Sequence, residues 1–290
     1  MKTISITVCV AALMLTACNT PRALQKEKQL TKKQSIMKNK SNKEKVLELL
    51  GSFENGNEHA LSYIRDDYKQ HNPYVSDGKK GLVEFVSSLP PGSVKAKVVR
   101  IFEDGDYVIA HSEYEFSGPK VAFDIFRFED GMIVEHWDNF QEKVDKTASG
   151  RAQTGGASEV TDRHLTAGNK ELVGDFILDV LLGKNPSKIT SYISTGQYLQ
   201  HNPYVKDGLD GLGEALKSLE EAGMPMIYEK NHMLLGEGNF VLAVSEGKFM
   251  NNHVAFYDLF RVENGKIVEH WDVIEEIPGK NLWKNSNGKF

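Results

Sequence analysis

Cysteine is almost absent. The 290 residues hold two, Cys9 and Cys18, and both fall in the first eighteen positions. The rest of the chain therefore has no disulfide, no thiol nucleophile and no cysteine-based zinc site. No Gly-x-Ser-x-Gly elbow marks a serine hydrolase, and no glycine-rich phosphate loop follows a strand. The nine histidines never recur at helical i, i+3 or i, i+4 spacing, so neither a metal nor an organic cofactor is expected. Long apolar runs are missing as well: the 4–15 stretch is too short to span a bilayer. Basic charge is in excess in one segment only. Residues 22–45 carry nine Lys or Arg against two Glu, a net of +7, and Lys2 makes the first 45 residues +8. The remainder must then carry −13 to reach the overall −5, which argues against a nucleic-acid surface on the folded part.

What the chain does have is a repeat. Gln70-His71-Asn72-Pro73-Tyr74-Val75 recurs as Gln200-His201-Asn202-Pro203-Tyr204-Val205, an offset of 130. Ile133-Val134-Glu135-His136-Trp137-Asp138 recurs as Ile267-Val268-Glu269-His270-Trp271-Asp272, an offset of 134. The period exceeds that of a solenoid and suits a tandem duplication of one self-sufficient domain.

The first residues read as an address. Lys2 precedes the short apolar stretch, and Leu15-Thr16-Ala17-Cys18 resembles the bacterial lipobox, in which the Cys is lipidated and becomes the mature N-terminus. Asn19 follows it, and resemblance to sorted lipoproteins implies the outer membrane facing the periplasm. The expected boundaries are a signal peptide at 1–18, a basic polar tether at 19–42, a first domain at 43–145, a linker at 146–165, a second domain at 166–280 and a tail at 281–290. The tether reads as a solvated spacer, with contact to anionic headgroups as the alternative.

Within copy 1, Val46, Leu47, Leu49, Leu50 and Phe53 predict an amphipathic helix over 43–53, with Ser41 as N-cap and Glu44 at the capping-box position. A short helix over 58–64, a strand over 68–72, a turn over 73–78 and a helix over 80–88 follow. Alternating and β-branched patterns then predict strands over 95–102, 107–116, 121–128 and 132–140. Copy 2 repeats the order, with helices over 167–182, 187–193 and 209–221 and strands between 227 and 275. Helices followed by a meander of strands make an α+β fold.

That order resembles the SnoaL-like polyketide cyclases of the nuclear transport factor 2-like superfamily. His-Asn-Pro ends the first strand, and a closing hairpin runs Asp124-Ile125-Phe126-Arg127 to Glu135-His136-Trp137, repeated as Asp258-Leu259-Phe260-Arg261 to Glu269-His270-Trp271. The resemblance implies two cone-shaped domains. Each is a curved, mostly antiparallel sheet closed by three helices around an apolar pocket. Members commonly dimerise through the convex face of the sheet, so the resemblance implies intramolecular pairing of the two copies.

Candidate site residues follow. Asp124 sits among Phe123, Phe126 and Phe128, and Asp258 among Phe256, Tyr257 and Phe260, where desolvation should raise a carboxyl pKa. The resemblance makes each the catalytic acid/base of an aldol-type cyclisation or, as in ketosteroid isomerases, a protonated oxyanion donor. A structural ion pair with a nearby Lys or Arg is the alternative. Arg127 and Arg261 fall on the opposite strand face from their Asp. Asn72 and Asn202 occupy the place of the isomerases' catalytic base, yet an amide cannot take a proton; in the cyclases an Asn nearby donates to the ligand carbonyl. Adjacent strand residues face apart, so the Asn is read as inward and His71 and His201 as structural or at the rim of the substrate site, with Tyr74 and Tyr204 beside them. His111 lies near a ligand-contacting His of the cyclases and is a third catalytic candidate; its counterpart in copy 2 is Val244. His136, Trp137, His270 and Trp271 complete the substrate-binding candidates, with Trp137 as an apolar wall whose N–H needs a partner.

The expectation is a lipid-anchored protein binding a small apolar or carbonyl-bearing molecule, either as a cofactor-free cyclase or isomerase or as a non-catalytic binding or scaffolding module. Lipidation at Cys18 predicts that an alkyne fatty acid fed to the host labels the full-length chain and not Cys18→Ser. An unlabelled wild-type protein would overturn this address.

Overall fold

Ser41 opens the fold with the expected capping box. Its hydroxyl accepts from Glu44 N–H, and the Glu44 carboxylate accepts from Ser41 N–H at 2.7 Å. The helix it starts, α1 (Asn42–Asn55), buries Val46, Leu49 and Leu50 and ends at Gly56, whose φ of 67° is the left-handed cap. The structure, a computed structural model, describes residues 40–56, 58–90 and 92–290. The expected signal segment, Cys18 and most of the tether lie outside the described residues. Among the described residues no helix is long and apolar enough to cross a membrane.

After α1 come a 3-10 turn (Glu58–Tyr63), β1 (Ile64–Gln70) and α2 (Gly78–Ser87). Four long strands complete the first half: β2 (Lys95–Asp104), β3 (Tyr107–Glu115), β4 (Pro119–Glu129) and β5 (Met132–Glu142). The second half runs α3 (Thr166–Phe176), α4 (Ile189–Tyr192), β6 (Leu199–Gln200), α5 (Gly208–Glu221), β7 (Ile227–Glu237), β8 (Phe240–Phe249), β9 (Asn252–Glu263) and β10 (Lys266–Glu276). The helix expected over 167–182 changes pitch: after α3 one wider turn, Ile177–Leu181, closes with Leu182 N–H donating to Ile177 O.

The same sheet forms twice, in the orders β1-β5-β4-β3-β2 and β6-β10-β9-β8-β7. The first strand of each pairs parallel with the last, and all other pairs are antiparallel. The architecture is α+β, as the order of patterns predicts.

Each sheet buries both faces for different reasons. On one face, Val241, Ala243, Phe260 and Ile267 pack under Val173 and Phe176 of α3, making a core private to the second half. On the other, Phe102, Ile109, Phe123, Ile125 and Trp137 meet Phe240, Leu242, Val244, Tyr257, Leu259 and Trp271 in one shared core. Asn139 from β5 donates into this layer, to the carbonyls of Ala255 at 3.0 Å and Val273 at 2.8 Å. Residues 41–290 accordingly form a single compact unit.

The segment between the halves and the C-terminal tail are both more than spacers. Thr147, Gln153 and Thr154 of the first are buried, and Lys289, the penultimate residue of the chain, is 3 % exposed. Neither carries the apolar periodicity that would announce packing. Both are held by hydrogen bonds, which leave no such pattern.

Trp271 is fully buried where the two sheets meet. Trp271→Ala should cost about 3–5 kcal/mol and lower the stability of both halves together, seen as one shifted denaturant transition. Two separable transitions would contradict the shared core.

Candidate functional site

The closing hairpin sorts its residues by parity. Asp124 lies opposite Asp138 across β4 and β5, and Phe126 opposite His136, so Asp124, His136 and Asp138 share one face. That face lines a cavity of about 580 Å³ in the first half, walled by Phe53, Leu82, Phe85, Leu89, Phe116 and Phe140. Gln70, Asn72 and Tyr114 add polar atoms to the same wall.

Asp124 is 2 % exposed. Its Oδ2 accepts from the Tyr114 hydroxyl at 2.8 Å, and its Oδ1 lies 3.3 Å from His136 Nε2. Among the described residues no Lys or Arg reaches it, so the ion-pair alternative does not apply there. Burial pushes the Asp124 carboxyl above its usual range, against the opposing pull of His136 and Tyr114.

The network around His136 determines where its protons sit. Gln70 Nε2 donates to Tyr68 Oη at 2.6 Å, and Gln70 Oε1 accepts from Asn72 N–H at 2.9 Å. The amide is thereby oriented with its oxygen toward His136 Nδ1, 3.2 Å away, which must carry a hydrogen. Nε2 then faces Asp124, and one proton can move between a buried carboxylate and an imidazole. Beside this pair Asn72 Nδ2 donates to Asp138 Oδ2 at 2.9 Å, while its Oδ1 accepts from Tyr74 N–H. The inward Asn of the sequence reading is thus in place. A strand that stops at Gln70 lets Asn72 turn into the site before Pro73.

Several sequence candidates do not reach the cavity. His111 lies opposite Phe123, one residue off the parity of Asp124, and is fully buried in the layer between the sheets. Its Nδ1 faces the Arg100 guanidinium and its ring stacks on Phe123 at 4.2 Å. Burial and the Arg100 charge hold it far below the usual histidine range, so it is a neutral acceptor in the core rather than a catalytic group. His71 and Trp137 also face away from the site: the rings stack at 4.5 Å, and His71 Nε2 lies 3.0 Å from Glu135, which Arg127 holds in turn. His201 and Trp271 repeat the arrangement at 4.8 Å, with Glu269 and Arg261. These four residues belong to the packing between the halves and not to substrate binding. Tyr74 stands at the cavity rim, half exposed.

Tyr114, Gln70 and Asp138 were not singled out by the motif reading. Tyr114 lies outside both repeated strings, and Gln70 and Asp138 read only as their end residues. The tail was missed too. Asn285 Nδ2 donates to the carbonyls of Asn72 and Val75, Asn287 Nδ2 to Gln70 O, and Lys289 Nζ to Asp138 O at 2.8 Å. Residues 284–290 thus brace the His-Asn-Pro turn of the first half from behind. The segment after β5 braces the turn of the second, with Ser149 donating to Gln200 O and Ala148 N–H to Pro203 O.

The second half keeps the polar set and loses the opening. Asp258 Oδ1 lies 3.0 Å from His270 Nε2, and Asn202 Nδ2 donates to Asp272 at 2.6 Å. A tyrosine hydroxyl again serves the aspartate, but from a different strand. Tyr114 pairs with Ala96 in the first half, whereas Gly247 pairs with Tyr228 in the second, and it is Tyr228 that donates to Asp258. A side chain at Gly247 would strike Ile227 O, its Cβ only 2.0 Å away, so the ring comes from the neighbouring strand. The cavity here, about 700 Å³, is lined by Asn202 and Tyr204 but by neither Asp258 nor His270. Asp258, His270 and Asp272 converge closely enough to be weighed as metal ligands. His270 Nε2 is committed to Asp258 and its Nδ1 faces Gln200 Oε1 at 3.0 Å, an arrangement that suits a protonated imidazole rather than a ligand.

Residues 46–136 match the family model described as SnoaL-like domain, so the first half carries a SnoaL-like domain. No curated protein matches the chain. Solved structures similar to it include an NTF2-like protein of unknown function from Cytophaga hutchinsonii, 17 % identical, covering 35 % of this chain and 90 % of that one at a TM-score of 0.32. TsrD from Streptomyces laurentii is 19 % identical over 35 % of this chain and 92 % of its own, TM-score 0.30. Wild-type IdmH from Streptomyces antibioticus is 22 % identical over 35 % and 93 %, TM-score 0.31.

Burial raises Asp272 to about 6, and His270 is also raised, the Asp258 hydrogen bond and the Asp272 and Asp258 charges outweighing burial. Both groups bind protons more tightly folded than unfolded, so each stabilises the fold at low pH and loses that contribution as pH rises through its folded value. For Asp272 the window lies between 3.8 and about 6. Asp272→Asn should flatten the fall in stability over that interval and, by removing the Asp272 charge, shrink without abolishing the His270 part above 6.5, as read by denaturant midpoints against pH. Parallel curves for variant and wild type would contradict the assignment.

Proposed function

We propose that the first half binds a small apolar, carbonyl-bearing molecule and acts on it by cofactor-free acid/base chemistry, an aldol-type cyclisation or an isomerisation. The observation that carries this reading is the Asp124–His136 pair, buried at the wall of a largely apolar cavity without a countercharge from any Lys or Arg among the described residues. Burial raises the carboxyl's affinity for a proton, which suits it to acid/base work, and His136 can share the proton it moves. Asn72 lies beside them, and reorienting its Nδ2 from Asp138 supplies a donor for a substrate carbonyl oxygen. Tyr114 holds Asp124 in position and stabilises its ionised form.

The same reading takes the two halves as a tandem duplication whose sheets pack as the subunits of a dimer would. It places the protein at the outer membrane, facing the periplasm, through lipid on Cys18. Capture without chemistry is favoured for the second half, because its cavity is not lined by the corresponding Asp258 and His270.

The test is to identify the molecule that co-purifies from the native host by native mass spectrometry and to follow its turnover. Asp124→Asn should lower kcat/KM by about 100-fold or more while leaving binding in place. Turnover that survives the substitution would sink the acid/base role and leave binding as the function.

A further inference from the structure

The cavities of the two halves are neighbours. Gln141, Tyr204, Ile274 and Glu276 line both of them. The seam lies where the ends of β5 and β10 are joined by Ile274 N–H donating to Gln141 Oε1 at 2.9 Å. Tyr204 stands over it with 71 % of its surface exposed. Of the two His-Asn-Pro-Tyr tyrosines, Tyr74 lines the first cavity alone, whereas Tyr204 of the second half lines both.

The walls on either side of the seam are apolar: Phe85, Phe116 and Phe140 toward the first half, Leu219, Met226 and Phe249 toward the second. Of the charged side chains nearby, Lys120 pairs with Glu142, Lys206 with Glu214 and Lys289 with Glu275, while the exposed Glu276 stands at the seam itself. An amide lines each cavity, Asn72 the first and Asn202 the second, but the carboxylates and imidazole able to engage a functional group, Asp124, His136 and Asp138, line the first only. Its carboxylates disfavour an anionic head.

We infer that the two cavities form one extended site for a single elongated, uncharged molecule, with its polar head in the first half and its hydrocarbon tail crossing the Tyr204 seam into the second. This deepens the proposed function and rests on its assignment of the reactive end to the first half. It also gives the second half a role that needs no chemistry. Each methylene buried should tighten binding roughly fourfold, so affinity reports where the tail runs out of wall.

The experiment measures binding of straight-chain 2-alkanones, from hexan-2-one to hexadecan-2-one, by calorimetry and native mass spectrometry on the full chain. Wild type should gain affinity across the series and hold one long ketone per chain. Tyr204→Asp, at an exposed position, should weaken short ketones by a small factor that does not change with length and, relative to those, bind the longest at least about tenfold more weakly. Asp124→Asn should keep the wild-type length dependence, so that failure of the acid/base reading and failure of this one give different results. The same levelling-off length in wild type and Tyr204→Asp, two long ketones per chain, or no ketone binding at all would overturn the inference.

Discussion

The pleat of the closing hairpin is the constraint on which the rest depends. With Asp124 set opposite Asp138, every second residue of β4 and β5 turns toward helices and cavity and the others toward the second sheet. The first set is Asp124, His136 and Asp138; the second is Phe123, Ile125 and Trp137. A slip of one residue would bury the carboxylates between two apolar sheets and turn the aromatics into the pocket. Sheet packing and site chemistry are therefore two readings of one register.

The repeated motifs divide along the same line. Gln-His-Asn-Pro and Glu-His-Trp-Asp look like single functional strings, but each is split between two faces. Gln70, Asn72, His136 and Asp138 face the site. His71, Glu135 and Trp137 form a stacked and hydrogen-bonded unit on the other side, with Glu135 ion-paired to Arg127. Both kinds of residue recur in the second half because the register recurs, even where the cavity no longer reaches the aspartate.

The divergence between the halves is instructive for the same reason. Tyrosine serves Asp124 from β3 and Asp258 from β7, with Ala96 and Gly247 as the small partners across the strand pair. The hydroxyl's position is kept while the strand that supplies it changes. The strand pair Arg100–His111 of the first half has Met233–Val244 as its counterpart in the second, so at this position the layer between the sheets is polar on one side and apolar on the other. Arg100 satisfies its charge partly on the carbonyls of the intervening segment and partly by lying over Trp271 at 4.3 Å.

Periodicity and repeats were enough to read the α+β order, the capped first helix and the four long strands of the first half, because each of these is a local pattern. The placement of His111 was not legible from its spacing to Asp124, since a thirteen-residue separation between strands says nothing about parity until their register is known. Nor was the reach of residues 147–157 and 284–290, whose hydrogen bonds to distant turns follow no period. Local chemistry chose the elements and the polar groups. Which groups meet in a cavity, and that the two cavities share a wall, was decided by packing between residues more than a hundred positions apart.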